Sequence, residues 1–181
     1  IPGPDQWAVT YEASTREPDE CDAIIATAPI PQTLNLLRSG ATVLAPELAE
    51  TLGAMRYHKV IAALVLLDGS PELAEPGALQ RPDHPMFTFV ADNQAKGISD
   101  APAMTFHLSH ALSEKLWDAD DNAVRSEIDQ ELLATIGPAN VAEIQIKRWR
   151  YAGPITPHPD AAVVAATKPG PLVLAGDAFG T

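Results

Sequence analysis

Apolar residues recur along this chain in distinct spacings, and each spacing predicts a different element. Residues 6–12, QWAVTYE, alternate: Trp7, Val9 and Tyr11 share one side, with Ala8 and Thr10 on the other, which predicts a short strand. The polar stretch STREPDE that follows reads as a turn. Residues 23–28 are apolar on both faces, the pattern of a strand buried between layers in a parallel sheet. PLVLAGD, at 171–177, has the same character. Between these two runs the spacing changes. YHKVIAALVLLD, MFTFVAD and AMTFHLS predict three strands joined by connections too short for a parallel crossover, hence an antiparallel meander. NVAEIQIKRWRY returns to strand period, with Ile144, Ile146, Arg148 and Arg150 on one face and Gln145, Lys147, Trp149 and Tyr151 on the other.

Helices punctuate these strands. Val124, Ile128, Leu132 and Ile136 repeat every fourth residue along one stripe, started by Asp120 or Asp121 and ended by Gly137-Pro138. HALSEKLW precedes it as a shorter helix. IPQTLNLL carries Pro31 in its first turn, and APELAETLGAM carries Pro46 and Glu47 at its front. Residues 69–85 read as a loop with room for one helical turn, and residues 152–170 as a proline-rich passage. The expected class is α+β: an antiparallel sheet with helices on one face. The two outer strands, at 23–28 and 171–177, belong to a separate parallel sheet.

Composition narrows the partners. A net charge of −12 disfavours a phosphate backbone as partner, so nucleic acid is not expected. No apolar run approaches the roughly 20 residues that span a bilayer. The single cysteine, Cys21, can form neither an internal disulfide nor a zinc motif alone, which fits a reducing, cytoplasmic setting. Hydrophobic residues at 46% are sufficient for a packed core. The opening IPGPDQWAVTYE has neither methionine nor a charged leader, so the expectation is that the natural N-terminus lies upstream.

Few residues carry chemistry. Arg148, Trp149, Arg150 and Tyr151 form a basic-aromatic cluster on an acidic chain. An arginine there can take an anionic group bidentately and an aromatic can stack on a planar ring; the competing reading pairs the arginines with surface acids and puts Trp149 in the core. His158 sits in the proline-rich ITPHPD. His107 and His110 have metal-pair spacing but no third ligand in sequence, so no metal is expected. Asp177 follows Gly176 at the tip of an apolar strand, where it can accept hydrogen bonds from a ligand's hydroxyls or cap a following helix. No nucleophile elbow or paired-carboxylate motif is present.

Three stretches, taken in order, resemble the renalase-like family of FAD-dependent amine oxidases: DAIIATAPIPQTLNLL, KRWRYAGP and LVLAGDAFG. The resemblance covers most of the chain. It implies a substrate-binding domain over 34–152, flanked by remnants of a Rossmann-like FAD domain at 1–33 and 153–181. It implies that Ala28 and Pro29 end a strand beside FAD, and that Gly176 and Asp177 form the flavin-contacting turn, with Gly180 nearby. It also implies a small-molecule substrate, a dihydronicotinamide or an amine, that gives hydride to FAD with O2 as acceptor, near one of Arg148 to Tyr151. That family opens with Gly-x-Gly-x-x-Gly, and none of the 11 glycines here forms it. The expectation is therefore a fragment that does not retain FAD alone. Two alternatives stand: a non-enzymatic binding module, and a protoporphyrinogen-oxidase or desaturase relative with a more apolar substrate cavity. A module should pair or bury its outer strands; a fragment should leave apolar surface made for missing partners.

Overall fold

The computed structural model describes residues 6–180. The chain divides into two compact units, residues 1–57 with 153–181, and residues 58–152. The division places residues 34–57, which the sequence assigns to the middle domain, with the first unit.

In the first unit, β1 (Trp7–Val9) pairs antiparallel with β2 (Asp19–Cys21). β3 (Ile24–Ala26) leads into α1 (Ile30–Ser39) and α2 (Pro46–Ala54). Both helices open with proline in the first turn, where the missing N–H costs nothing.

The second unit is a five-stranded sheet backed by helices. Its elements are β4 (Tyr57–Leu67), β5 (Ala78–Gln80), β6 (Phe87–Asp92), β7 (Ala103–Leu108), α3 (His110–Lys115), α4 (Asp121–Ile136) and β8 (Val141–Pro154). The chain returns to the first unit through β9 (Val163–Ala166) and β10 (Leu172–Leu174).

The sheet order in the second unit is β5-β6-β7-β4-β8. This corrects the expected meander: β6 does not follow β4 in space, because β7 lies between them and pairs antiparallel with both. The connection at 68–77 is long enough to carry the chain past the place that β7 later fills. One face of this sheet holds the core. Ile61, Ala63, Val65 and Leu67 of β4 and Met104, Phe106 and Leu108 of β7 pack against the Val124, Ile128, Leu132, Ile136 stripe of α4, all essentially buried. Each of the larger side chains contributes about 1.5–3 kcal/mol, and the Ala63 methyl less. α4 starts where Asp120 accepts the Ala123 N–H at 2.9 Å and stops at Gly137, whose φ is +70°. Ser109 caps α3 by accepting the Leu112 N–H. Buried Ser113 accepts the Ile61 N–H at 3.0 Å, so a helix side chain serves a strand backbone.

In the first unit the order is β3-β10-β9. β3 and β10 are parallel, with Leu172, Val173 and Leu174 opposite Ile24, Ile25 and Ala26. The two outer strands of the sequence reading thus pair with each other. One face packs Leu172 and Leu174 against Ile30, Leu37 and Leu52. On the other, Ile25 and Val164 are 68% and 63% exposed. Three elements escape the sequence pattern: β2 inside the expected turn, β5 inside the expected loop, and β9 inside the proline-rich passage. Each spans one or two turns of strand pleat, too short for a periodicity to register. Among the described residues no helix is long and apolar enough to cross a membrane.

Candidate functional site

Four residues that the sequence singles out converge in the first unit. β3 and β10 run parallel and their carboxyl ends lie side by side, so Ala28-Pro29 and Gly176-Asp177 emerge from neighbouring strands. The Ala175 N–H donates to Ala26 O at 3.0 Å and extends the pairing to the turn itself. Gly176 has φ of +109°, and a Cβ there would lie 2.7 Å from Thr27 O. Only glycine allows this conformation and this approach together. Pro29 opens α1, and the Ile30 N–H donates to the Tyr57 hydroxyl at 3.0 Å. Burial raises the Tyr57 pKa above its ordinary value, and the Asp177 carboxylate raises it further against the lowering effect of the Ile30 bond. Asp177 itself is exposed and makes no hydrogen bond or ion pair among the described residues.

His158 joins this group. Its backbone N–H donates to Ala178 O at 2.7 Å, and the Gly180 N–H donates back to His158 O at 3.0 Å. Its ring lies 5.4 Å from that of Phe179. Its Nδ1 accepts the Asp160 N–H, which leaves the proton of the neutral ring on Nε2. Sequence spacing gives no hint of this pairing across about twenty residues.

The second unit holds the basic-aromatic strand, and its residues separate by face. The Arg148 guanidinium is engaged on all three nitrogens: Nε to Trp117 O at 3.1 Å, Nη2 to Ala119 O at 2.6 Å, and Nη1 to Asp121 at 2.6 Å. It pins the α3–α4 connection. Arg150 lies over the Trp117 ring at 5.6 Å, on the same face. Trp149 is on the other face, 44% exposed, with its ring 5.0 Å from His107 and at right angles to it. Phe89 stands 4.9 Å from His107 on its other side. Three rings, from β6, β7 and β8, therefore line up on the face opposite the helices, with Trp149 reaching His107 across β4. Burial lowers the His107 pKa, which favours the neutral ring. Tyr151 shares the strand face of Trp149 by alternation and is half-buried.

Phe89 and His107 are absent from the sequence-derived site. The available signal was alternation: in AMTFHL, buried Met104, Phe106 and Leu108 leave His107 on the open face. His107 and His110 do not share a site. His110 stacks on His58, centroids 3.8 Å apart, while His107 meets Phe89 and Trp149. Among the described residues no group of three or more His, Cys, Asp or Glu is arranged to hold a metal ion.

Known proteins share this architecture at low sequence identity. No family model matches the chain, and no curated protein matches it. A solved structure of an oxidoreductase from Methanosarcina mazei superposes with a TM-score of 0.56 over 90% of the chain, at 19% identity. A proposed protoporphyrinogen oxidase from Exiguobacterium sp. 255-15 superposes with a TM-score of 0.55 over 85%, at 14% identity. The chain covers 39% and 34% of those two structures. It therefore has an α+β fold that recurs as a part of larger oxidoreductases.

Proposed function

We propose that the chain forms part of an FAD-dependent oxidoreductase, with cofactor contacts in the first unit and substrate contacts in the second. One observation carries this reading: Gly176-Asp177 and Ala28-Pro29 lie together at the carboxyl ends of two adjacent parallel strands, where α/β sheets take their ligands. The residues fit a polyhydroxylated cofactor. Gly176 brings the backbone close, and Asp177 offers a solvated carboxylate with no competing partner. Asp177 would accept hydrogen bonds from ribityl or ribose hydroxyls, while Ala28 and Pro29 would supply shape. FAD, when bound, would supply the two-electron acceptor for a hydride from the substrate, with O2 as the final oxidant.

The protein's own work is positioning. The open face of the second unit presents Trp149 and Tyr151, with His107 and Phe89 beside Trp149, as the surface that orients a small substrate. Arg148 contributes by fixing the α3–α4 connection. Arg150, held over Trp117, lies on that same helix-side face. A dihydronicotinamide or amine substrate follows from the sequence resemblance to the renalase-like family. A second reading, a protoporphyrinogen-oxidase-like activity on a larger apolar ring, is favoured by the similarity to the Exiguobacterium structure.

The test is turnover by the full-length gene product under anaerobic conditions, read as bleaching of flavin absorbance. Candidates are a dihydronicotinamide isomer, a primary amine and protoporphyrinogen. Bleaching by the first two alone supports the renalase-like reading, and by the third alone the alternative. A full-length protein that takes up no flavin overturns both.

A further inference from the structure

The first unit contains a pocket of about 370 Å³ that shares only His158 with the group at the Gly176-Asp177 turn. One wall is the end of α2 with Ala54, Met55 and Arg56; the other is the strap carrying Ile155, Pro157 and His158. The Ile155 N–H donates to Arg56 O at 2.8 Å and fixes the two walls to each other. The size suits a small organic ligand, and the mostly apolar lining with few polar groups is that of a ligand pocket.

Arg56 decides the chemistry. Its Nη1 donates to the carbonyls of Gly53, Ala54 and Met55, at 3.2, 2.9 and 3.2 Å. These bonds cap the carboxyl end of α2 and hold the guanidinium in place. Nε and Nη2 have no partner among the described residues, and no carboxylate pairs with this arginine. Arg16, Lys59, Lys115 and Arg148 each meet an acid within 2.8 Å, whereas Arg56 keeps its positive charge uncompensated beside the pocket. The Nε/Nη2 edge is the planar fork that receives a carboxylate through two parallel bonds. The partial negative charge at the end of α2, about half an elementary charge, opposes an anion there, but the whole positive charge of Arg56 exceeds it.

We propose that this pocket binds a small apolar monocarboxylate. The Nε/Nη2 edge of Arg56 holds the carboxylate, and the tail lies against Met55, Ile155, Pro157 and the His158 ring. The ring is already steadied by Phe179. The inference does not depend on flavin.

Phenylacetate is a suitable probe, with phenylacetamide as its neutral isostere. Binding is measured by calorimetry and ligand-observed NMR on the chain without FAD. Phenylacetate should bind with Kd on the order of 1 mM or tighter, and phenylacetamide at least tenfold more weakly. Arg56→Gln should bring phenylacetate down to the level of the amide, and Arg56→Lys should lose part of the affinity by losing the fork. Ala54→Phe fills the pocket, keeps Arg56, and should abolish binding. Circular dichroism and melting establish that each variant is folded; if Arg56→Gln is not, the acid–amide comparison and Ala54→Phe decide. Equal binding of acid and amide, no binding of the acid, or unchanged binding to Ala54→Phe overturns the proposal. The flavin reading is scored separately, by absorbance.

Discussion

The two units treat their polar groups and their apolar faces differently. In the second unit, three cations are held by named partners: Arg148 on two carbonyls and Asp121, Lys59 on Glu114, Lys115 on Glu127. Arg81 is the exception, with Nε and Nη2 buried and without a hydrogen-bond partner among the described residues. Its central strands, β7 and β4, have neighbours on both edges, and its helix-side face is closed by α4. In the first unit, Asp177 and the outer edge of Arg56 have no partners, and Ile25 and Val164 lie open on a three-stranded sheet. Groups that stability already uses are poor candidates for ligand work; groups left over are good ones. Of the two arginines that the sequence offers as anion receivers, Arg148 is spent on structure. The lone Asp177 is not.

This contrast can be broken most forcefully in the second core. Phe106→Ala should cost about 3–5 kcal/mol in denaturant unfolding, because the ring is wholly buried between Phe87 and the α4 stripe. Ile25→Thr, on the open face of the first unit, should cost within about 0.5 kcal/mol. A large loss at Ile25 would mean that this face is covered in solution, and the contrast would fail.

Gly176→Ala should cost about 1–3 kcal/mol, from the positive φ and the approach to Thr27 O. Ser113→Ala comes next, at about 1–3 kcal/mol with a smaller expected value, since it strands the buried Ile61 N–H. Thermal melts of the two variants measure both.

The pH responses should also differ. His107 and His58 have pKa values lowered by burial, so the folded second unit binds fewer protons than its unfolded chain. Stability from these histidines is complete above their ordinary value near 6.5 and is lost as pH falls through their lowered pKa values. Tyr57, in the first unit, has a raised pKa, so its contribution is complete below about 10 and is lost as pH rises beyond that. Hydrogen exchange should show the second unit loosening toward acid and the first toward alkali. His107→Gln should blunt the acid response.

Long, regular elements were legible because burial imposes a period on them. α4 follows its four-residue stripe, and β4 and β7 follow their apolar runs. The outer strands β3 and β10 do pair in parallel, but the burial on both faces expected from AIIATA and PLVLA is not found: Ile25 and Val164 lie open, and β9 adds an antiparallel edge. Strand order was not legible. Where β7 inserts depends on long-range pairing, which leaves no mark on local spacing. Gly176 and Asp177 were singled out by strand-end position and by resemblance, Ala28 and Pro29 by resemblance alone, and the four lie at the ends of adjacent strands. Phe89 and His107 were missed because their grouping with Trp149 runs across four strands, from β6 to β8.

The most direct measurement concerns Asp177. Full-length protein and its Asp177→Ala variant would be incubated with FAD, desalted, and compared by visible absorption, with melting curves alongside. The account predicts a flavin spectrum in the parent, at least a tenfold loss of retained FAD in the variant, and melting of the flavin-free proteins that differs by no more than about 0.5 kcal/mol. Equal flavin retention in the two proteins would contradict it.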